Sequence, residues 1–157
     1  MVALLGVMIA VSSSIYIIES FIPFPLPVGR WGFSNSVVLF FASFDFKGSL
    51  IVAAGKSLIG SLFTGRFMTP GFVMGFVGAI GAAVVEWIMF RFKFGYFGAS
   101  IAGSVVNNIL QMLVGAYFIK SSYIFSLLPL FLAVGSVSAI GNVYLAKSYE
   151  RFWKGIK

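Results

Sequence analysis

The chain of 157 residues is 60% hydrophobic and 18% aromatic but only 10% charged, with a mean hydropathy of +1.04. Soluble domains carry about a quarter of their residues as charges, so these numbers exclude an ordinary water-soluble protein. Cysteine and histidine are both absent, which removes disulfides, thiolate metal sites and the commonest acid–base side chain. The net charge of +7 fits basic loops flanking membrane helices rather than nucleic-acid binding.

At about 20 residues per span, this length allows about six short helices in one transmembrane domain, residues 1–157. The apolar segments are continuous rather than alternating, so an all-α integral membrane bundle is expected and not a barrel. There is no room for a soluble catalytic module. The first apolar run lacks a basic n-region, which speaks against a cleaved signal.

The first helix is expected over residues 2–21. Ala3, Gly6, Ala10 and Ser13 recur at i, i+3, i+7 and i+10 and so share one face. A stripe of small residues lets another helix approach closely, either within the chain or from a partner subunit. Glu19 then opens an unusual connector that runs to Asn35. Pro23, Pro25 and Pro27 alternate, each pushing its predecessor toward extended conformations, so no helix passes through. The expectation is a stiff polyproline-like hairpin at the membrane interface, anchored by Arg30 and Trp31.

Residues 34–46 form an apolar run too short to span upright, so a short or broken second helix is expected. The third helix, 47–63, places Lys56 about 14 Å beyond Lys47, near mid-depth. A lysine there costs ~2.5–3.5 kcal/mol on insertion scales and marks a cavity or a partner. The fourth helix, 70–90, starts on Thr69 as cap and Pro70 in the first turn. It carries Gly71, Gly75, Gly78 and Ala82 on one face, and its Glu86 is expected to pair with Arg91 or Lys93 near the interface.

The fifth helix, 96–119, holds the densest polar cluster, Ser104, Asn107, Asn108 and Gln111. Asn107 and Gln111 are one turn apart on a shared face, whereas Asn108 points elsewhere. The sixth helix is expected over 124–146, followed by an amphipathic basic tail, 147–157. Lys47, Arg91, Lys93, Lys147, Arg151, Lys154 and Lys157 fall on one side of the membrane, against Arg30, Arg66 and Lys120 on the other. The positive-inside rule then puts both termini in the cytoplasm, and a multi-pass protein of a bacterial-type cell membrane is expected.

With that orientation the outward half collects Glu19, Arg30, Asn35, Arg66 and Gln111, with Lys56 and Asn107 beneath them. An ionisable pocket of this kind, roofed by aromatics, suits a small polar or amphipathic ligand. No catalytic motif, phosphate loop or metal-binding spacing is present. The four acidic residues, Asp45, Glu19, Glu86 and Glu150, are scattered rather than clustered as magnesium–diphosphate chemistry requires. The chain is therefore expected not to be an enzyme and to need no cofactor.

The run from Glu19-Ser20-Phe21-Ile22-Pro23-Phe24-Pro25-Leu26-Pro27, then Gly32-Phe33-Ser34-Asn35, Lys56-Ser57-Leu58-Ile59-Gly60-Ser61-Leu62-Phe63 and Asn107-Asn108-Ile109-Leu110-Gln111 resembles the Gx transporter family. That family is also called heptaprenyl diphosphate synthase component I. Lys56 and Asn107 stand where its pattern has arginine and histidine, and Ser34 where alanine is usual. In size and six-helix plan the family is similar to the substrate-binding S components of energy-coupling factor (ECF) importers. That resemblance implies an outward site for a vitamin-like or isoprenoid- or quinone-related ligand. It also implies docking of a transmembrane coupling subunit, served by cytoplasmic ATPases, on Ala3, Gly6 and Ala10. A membrane subunit serving heptaprenyl diphosphate synthesis, and a stand-alone secondary transporter, are the alternatives it leaves open. Membrane lipid is the surrounding partner in every case.

Overall fold

A computed structural model of the chain describes residues 2–24 and 30–156, the last of these by its backbone alone. The alternating-proline stretch at 25–29, expected to be polyproline-like, lies outside the described residues. Among the described residues there are six α-helices and no strand: α1 (Val2–Phe21), α2 (Asn35–Ala42), α3 (Phe46–Phe63), α4 (Pro70–Arg91), α5 (Gly95–Ile119) and α6 (Leu128–Ile156). A 3-10 turn, Ser122–Leu127, leads into α6. Every one of these helices except α2 is long and apolar enough to cross a membrane, α6 together with the turn before it. The protein is an all-α membrane bundle.

The short helix is the core of that bundle. At eight residues α2 is about 12 Å long, less than half a hydrocarbon layer. Its sequence, Val37-Val38-Leu39-Phe40-Phe41, is β-branched and aromatic and has weak intrinsic helix propensity. In an apolar medium the backbone must nevertheless bond to itself, and a helix is the local way to do so. Val37 through Ala42 are at most 1% exposed, and α2 touches each of the other five helices. A helix apolar on every side belongs in the centre.

Around it, helices approach through small residues. A side-chain carbon at Gly78 of α4 would sit 3.0 Å from both the Asn107 carbonyl oxygen and Gln111 Cγ of α5. At Gly60 of α3 the Tyr16 ring of α1 occupies the space, with Tyr16 Cγ 2.6 Å from where a Cβ would stand. α4 starts as expected: Thr69 Oγ1 accepts from the Phe72 amide at 3.2 Å, with Pro70 in the first turn.

Two expectations are corrected by the packing. The connector does not lie at the interface throughout: residues 30–34 thread into the bundle. The Gly32 carbonyl accepts from Asn142 Nδ2 at 3.2 Å, the Trp31 carbonyl from Ser138 Oγ, and the Ser34 carbonyl from Ser12 Oγ at 2.7 Å. Polar side chains of α1 and α6 thus satisfy a non-helical backbone inside the protein, the condition for such backbone at depth. The basic segment expected as a separate tail is the continuation of α6, which runs to Ile156. Tyr149 in that segment packs edge-on against Phe40 of α2, with ring centroids 6.3 Å apart.

Candidate functional site

The site is built on the start of α2, where the threaded connector becomes helix. The side chain of its N-cap residue, Ser34, makes no capping bond; side chains of other helices serve this end instead. The Ser34 amide donates to Glu19 Oε1 of α1 at 3.1 Å, an anion placed where unsatisfied N–H groups and the helix dipole favour one. Lys56 Nζ of α3 donates to Ser34 Oγ at 3.2 Å and to Asn35 Oδ1. Lys56 and Glu19 are each 3% exposed. Three segments distant in sequence are therefore tied at a single helix terminus.

A chamber of about 40 Å³ opens beside this knot, lined among others by Tyr16, Glu19, Arg30, Asn35, Lys56, Asn107 and Gln111. It adjoins a wider cavity of about 400 Å³ at the end of the bundle where α1, α3 and α5 finish. Arg30, Tyr16, Gly75 and Gln111 belong to both. Arg66, Thr69, Met74, Gly115, Phe118 and Ile119 are among the other residues of the wider one. Six of the seven residues expected at a ligand site, Glu19, Arg30, Asn35, Lys56, Asn107 and Gln111, thus surround the chamber. Arg66, exposed, joins Arg30 and Gln111 in the wider cavity.

Arg30 is the hinge between the two spaces. Its guanidinium carbon lies 3.5 Å from the centroid of the Tyr16 ring, close enough for a desolvated cation–π contact. Gly75 makes room for it, since a Cβ there would come within 2.9 Å of Arg30 Nη2. Arg30 Nη1 is buried and has no hydrogen-bond partner. An arginine stays cationic even where it is buried. A donor fork with a free arm, on a residue that lines a cavity, is suited to a carboxylate or phosphate.

Tyr16 was not among the expected residues. It falls three positions before Glu19, so helical spacing already puts both on one face. Glu86 was expected to pair with Arg91 or Lys93 and does not. It is 3% exposed, and among the described residues the only ion pair is Lys154–Glu150. Arg91 instead reaches over the Trp87 ring, 5.1 Å from its centroid. Asn108 points away from the chamber, as its spacing implies, and donates to the Phe131 carbonyl of α6 at 3.0 Å.

The small-residue stripe of α1 divides. Ser13 turns inward and is 3% exposed, whereas Ala3, Gly6 and Ala10 face outward. A Cβ at Gly6 would meet nothing within 4 Å.

Fold and site together define a multi-helix membrane protein with a buried, cation-bearing polar chamber around a half-length helix. The chain belongs to the heptaprenyl diphosphate synthase component I family, whose model matches residues 8–149. No curated protein and no solved structure matches it.

Proposed function

We propose that the chain is a substrate-binding membrane subunit, not an enzyme, that takes up a small ligand with an anionic head and an apolar body. The head sits between Arg30, Arg66 and Gln111, and the body lies along Met74, Phe118 and Ile119. The observation that carries this reading is the free, buried arm of Arg30 on the wall of a cavity large enough for an organic molecule. Vitamin-like and isoprenoid- or quinone-related acids meet that description. With both termini cytoplasmic, the cavity faces outward, and the chain works as an S-component-like subunit of an ECF-type importer. A coupling subunit docks on the open face of Ala3, Gly6 and Ala10, and cytoplasmic ATPases supply the energy.

Native mass spectrometry of the purified protein tests the binding half of this reading. A co-purifying anionic compound should be retained by the wild-type chain and lost from Arg30→Gln. Retention of the same compound by the variant would refute the site. Uptake into liposomes by the purified chain without any ATPase would instead establish a stand-alone transporter.

The family's name supports a second reading, a membrane partner in heptaprenyl diphosphate synthesis. The four acidic residues do not form the clustered carboxylates that chelate magnesium–diphosphate, so catalysis would have to lie in another subunit. Co-purification with a soluble prenyl synthase, and a rise in that enzyme's activity, would favour it.

A further inference from the structure

A separate cavity, of about 390 Å³, opens at the other end of the bundle, where α2 and α4 finish. The wide cavity lies at the start of α4 and this one at its end, so the helix itself keeps them apart. Arg91 and Lys93 bring two positive charges to the lining, and no lining residue is acidic. Phe44, Trp87 and Phe90 bring three aromatic rings.

Neither cation is committed to a helix end or to a carboxylate. A basic residue after a helix ordinarily serves the last carbonyls. Here those of Ile88, Phe90 and Met89 already accept from the amides of Phe92, Lys93 and Phe94 at 3.1, 3.0 and 3.1 Å. On α2 the Phe40 and Phe41 carbonyls accept from the amides of Ser43, Phe44 and Asp45. Among the described residues the only ion pair is Lys154–Glu150, so no carboxylate pairs with Arg91 or Lys93. Both cations are nevertheless held in place. Arg91 rests over the Trp87 ring, which packs on Phe46 of α3 with centroids 4.7 Å apart. Lys93 has a φ of +62°, a left-handed conformation after a helix end that glycine adopts with least strain. A lysine there brings a charge to the cavity where glycine would bring none.

We propose that this cavity is a headgroup site for an anionic phospholipid, with Arg91 and Lys93 holding the phosphate oxygens. Phe44, Trp87 and Phe90 cover the start of its apolar part. Phosphate is the fitting anion because an arginine fork and a lysine point charge are both donors suited to it. A lipid is the fitting source because the cavity opens at the end of a membrane-spanning helix, among the exposed rings of Phe44, Phe92 and Phe94. Aromatic rings favour that depth, and basic pockets between helices on the cytoplasmic side take lipid headgroups. The inference does not depend on what fills the larger cavity.

The test is native mass spectrometry of the purified full-length chain in detergent, titrated with phosphatidylglycerol, with phosphatidylcholine, or with glycerol phosphate. Saturable phosphatidylglycerol binding, tighter than that of phosphatidylcholine, is expected for the wild type. Arg91→Gln and Lys93→Gly should each weaken it about fivefold or more, the factor that one basic residue contributes at an anionic surface. Lys93→Gly relaxes the backbone while it removes the charge, so its thermal stability should not fall and its loss of binding cannot come from misfolding. Lys47, exposed at the same end but outside the cavity lining, is the control, and Lys47→Gln should bind as the wild type does. An equal loss in Lys47→Gln would reduce the effect to the general field of that surface and overturn the site. Equal binding of the two lipids, or undiminished binding by either cavity variant, would overturn it too. Glycerol phosphate binding as tightly as the lipid would assign the cavity to a soluble phosphate compound and overturn the lipid.

Discussion

The guanidinium of Arg30 lies 3.5 Å above the centre of the Tyr16 ring, and that contact joins the connector to α1 at the mouth of the inner chamber. The ring is itself seated on Gly60 of α3. Tyr16 is thus a platform that aims the cation into the cavity. Tyr16→Leu should cost about 2 kcal/mol, the worth of a desolvated cation–π pair, and should weaken binding of the retained anion. Tyr16→Phe keeps the π face and should stay near wild type in both thermal stability and ligand retention. Equal losses in the two variants would point to the hydroxyl instead.

Lys56 and Glu19 meet at the start of α2 without touching each other, each holding a different atom of the Ser34–Asn35 corner. Lys56→Met removes two buried charge-assisted bonds and leaves buried Glu19 without the cation that shares its corner of α2. The expected loss is about 3 kcal/mol. Adding Glu19→Gln should recover part of it, because the uncompensated anion is then gone. A double-mutant cycle in thermal stability reads the coupling, and strict additivity would show that the two groups act separately.

Two glycines should behave in opposite ways. Gly78→Ala forces a methyl against the Asn107 carbonyl and the Gln111 stem. It should lower stability by about 1–3 kcal/mol through overpacking and displace two site residues together. Gly6→Leu adds its side chain to open space on the outer face of α1 and should leave stability within about 0.5 kcal/mol. Its effect should appear only in capture of the proposed coupling subunit from membranes. Unimpaired capture would remove Ala3, Gly6 and Ala10 from the docking face.

Thr69→Ala deletes the oxygen that accepts the Phe72 amide at the start of α4. The expected cost is about 1 kcal/mol, measured as a fall in thermal stability. Thr69 also lines the wider cavity, so Thr69→Ser, which keeps the acceptor, separates the cap from any contact with ligand.

The helical, membrane-spanning character of the chain was legible in composition alone, because an apolar medium leaves a continuous apolar segment no other way to satisfy its backbone. The starts and stops of α1, α3, α4 and α5 followed from Thr69 and Pro70, from the prolines after Phe21 and from the short polar loops. These are local signals that need no partner. The short second helix was legible from its length. Its central position was not, since nothing in Val37-Val38-Leu39-Phe40-Phe41 tells a protein-facing segment from a lipid-facing one.

The same limit applied to the polar residues. Their isolation in apolar helices marked Glu19, Lys56, Asn107 and Gln111 as residues that must face something polar, and periodicity set the face. Only the fold could say which something. It seated Arg30 on Tyr16, gave Lys56 to Ser34 and Asn35, and drew residues 30–34 inward onto Ser138 and Asn142 of α6. It also took Glu86 away from Arg91, because a helix turns about 100° per residue. Five residues of α4 therefore carry Glu86 to the face that meets α5, where Gly103 leaves space for it, while Arg91 returns over Trp87. Sequence decides which side chains cannot face lipid, through the cost of desolvating them. Tertiary structure decides which of them compensate one another, because that depends on distances between segments far apart in the chain.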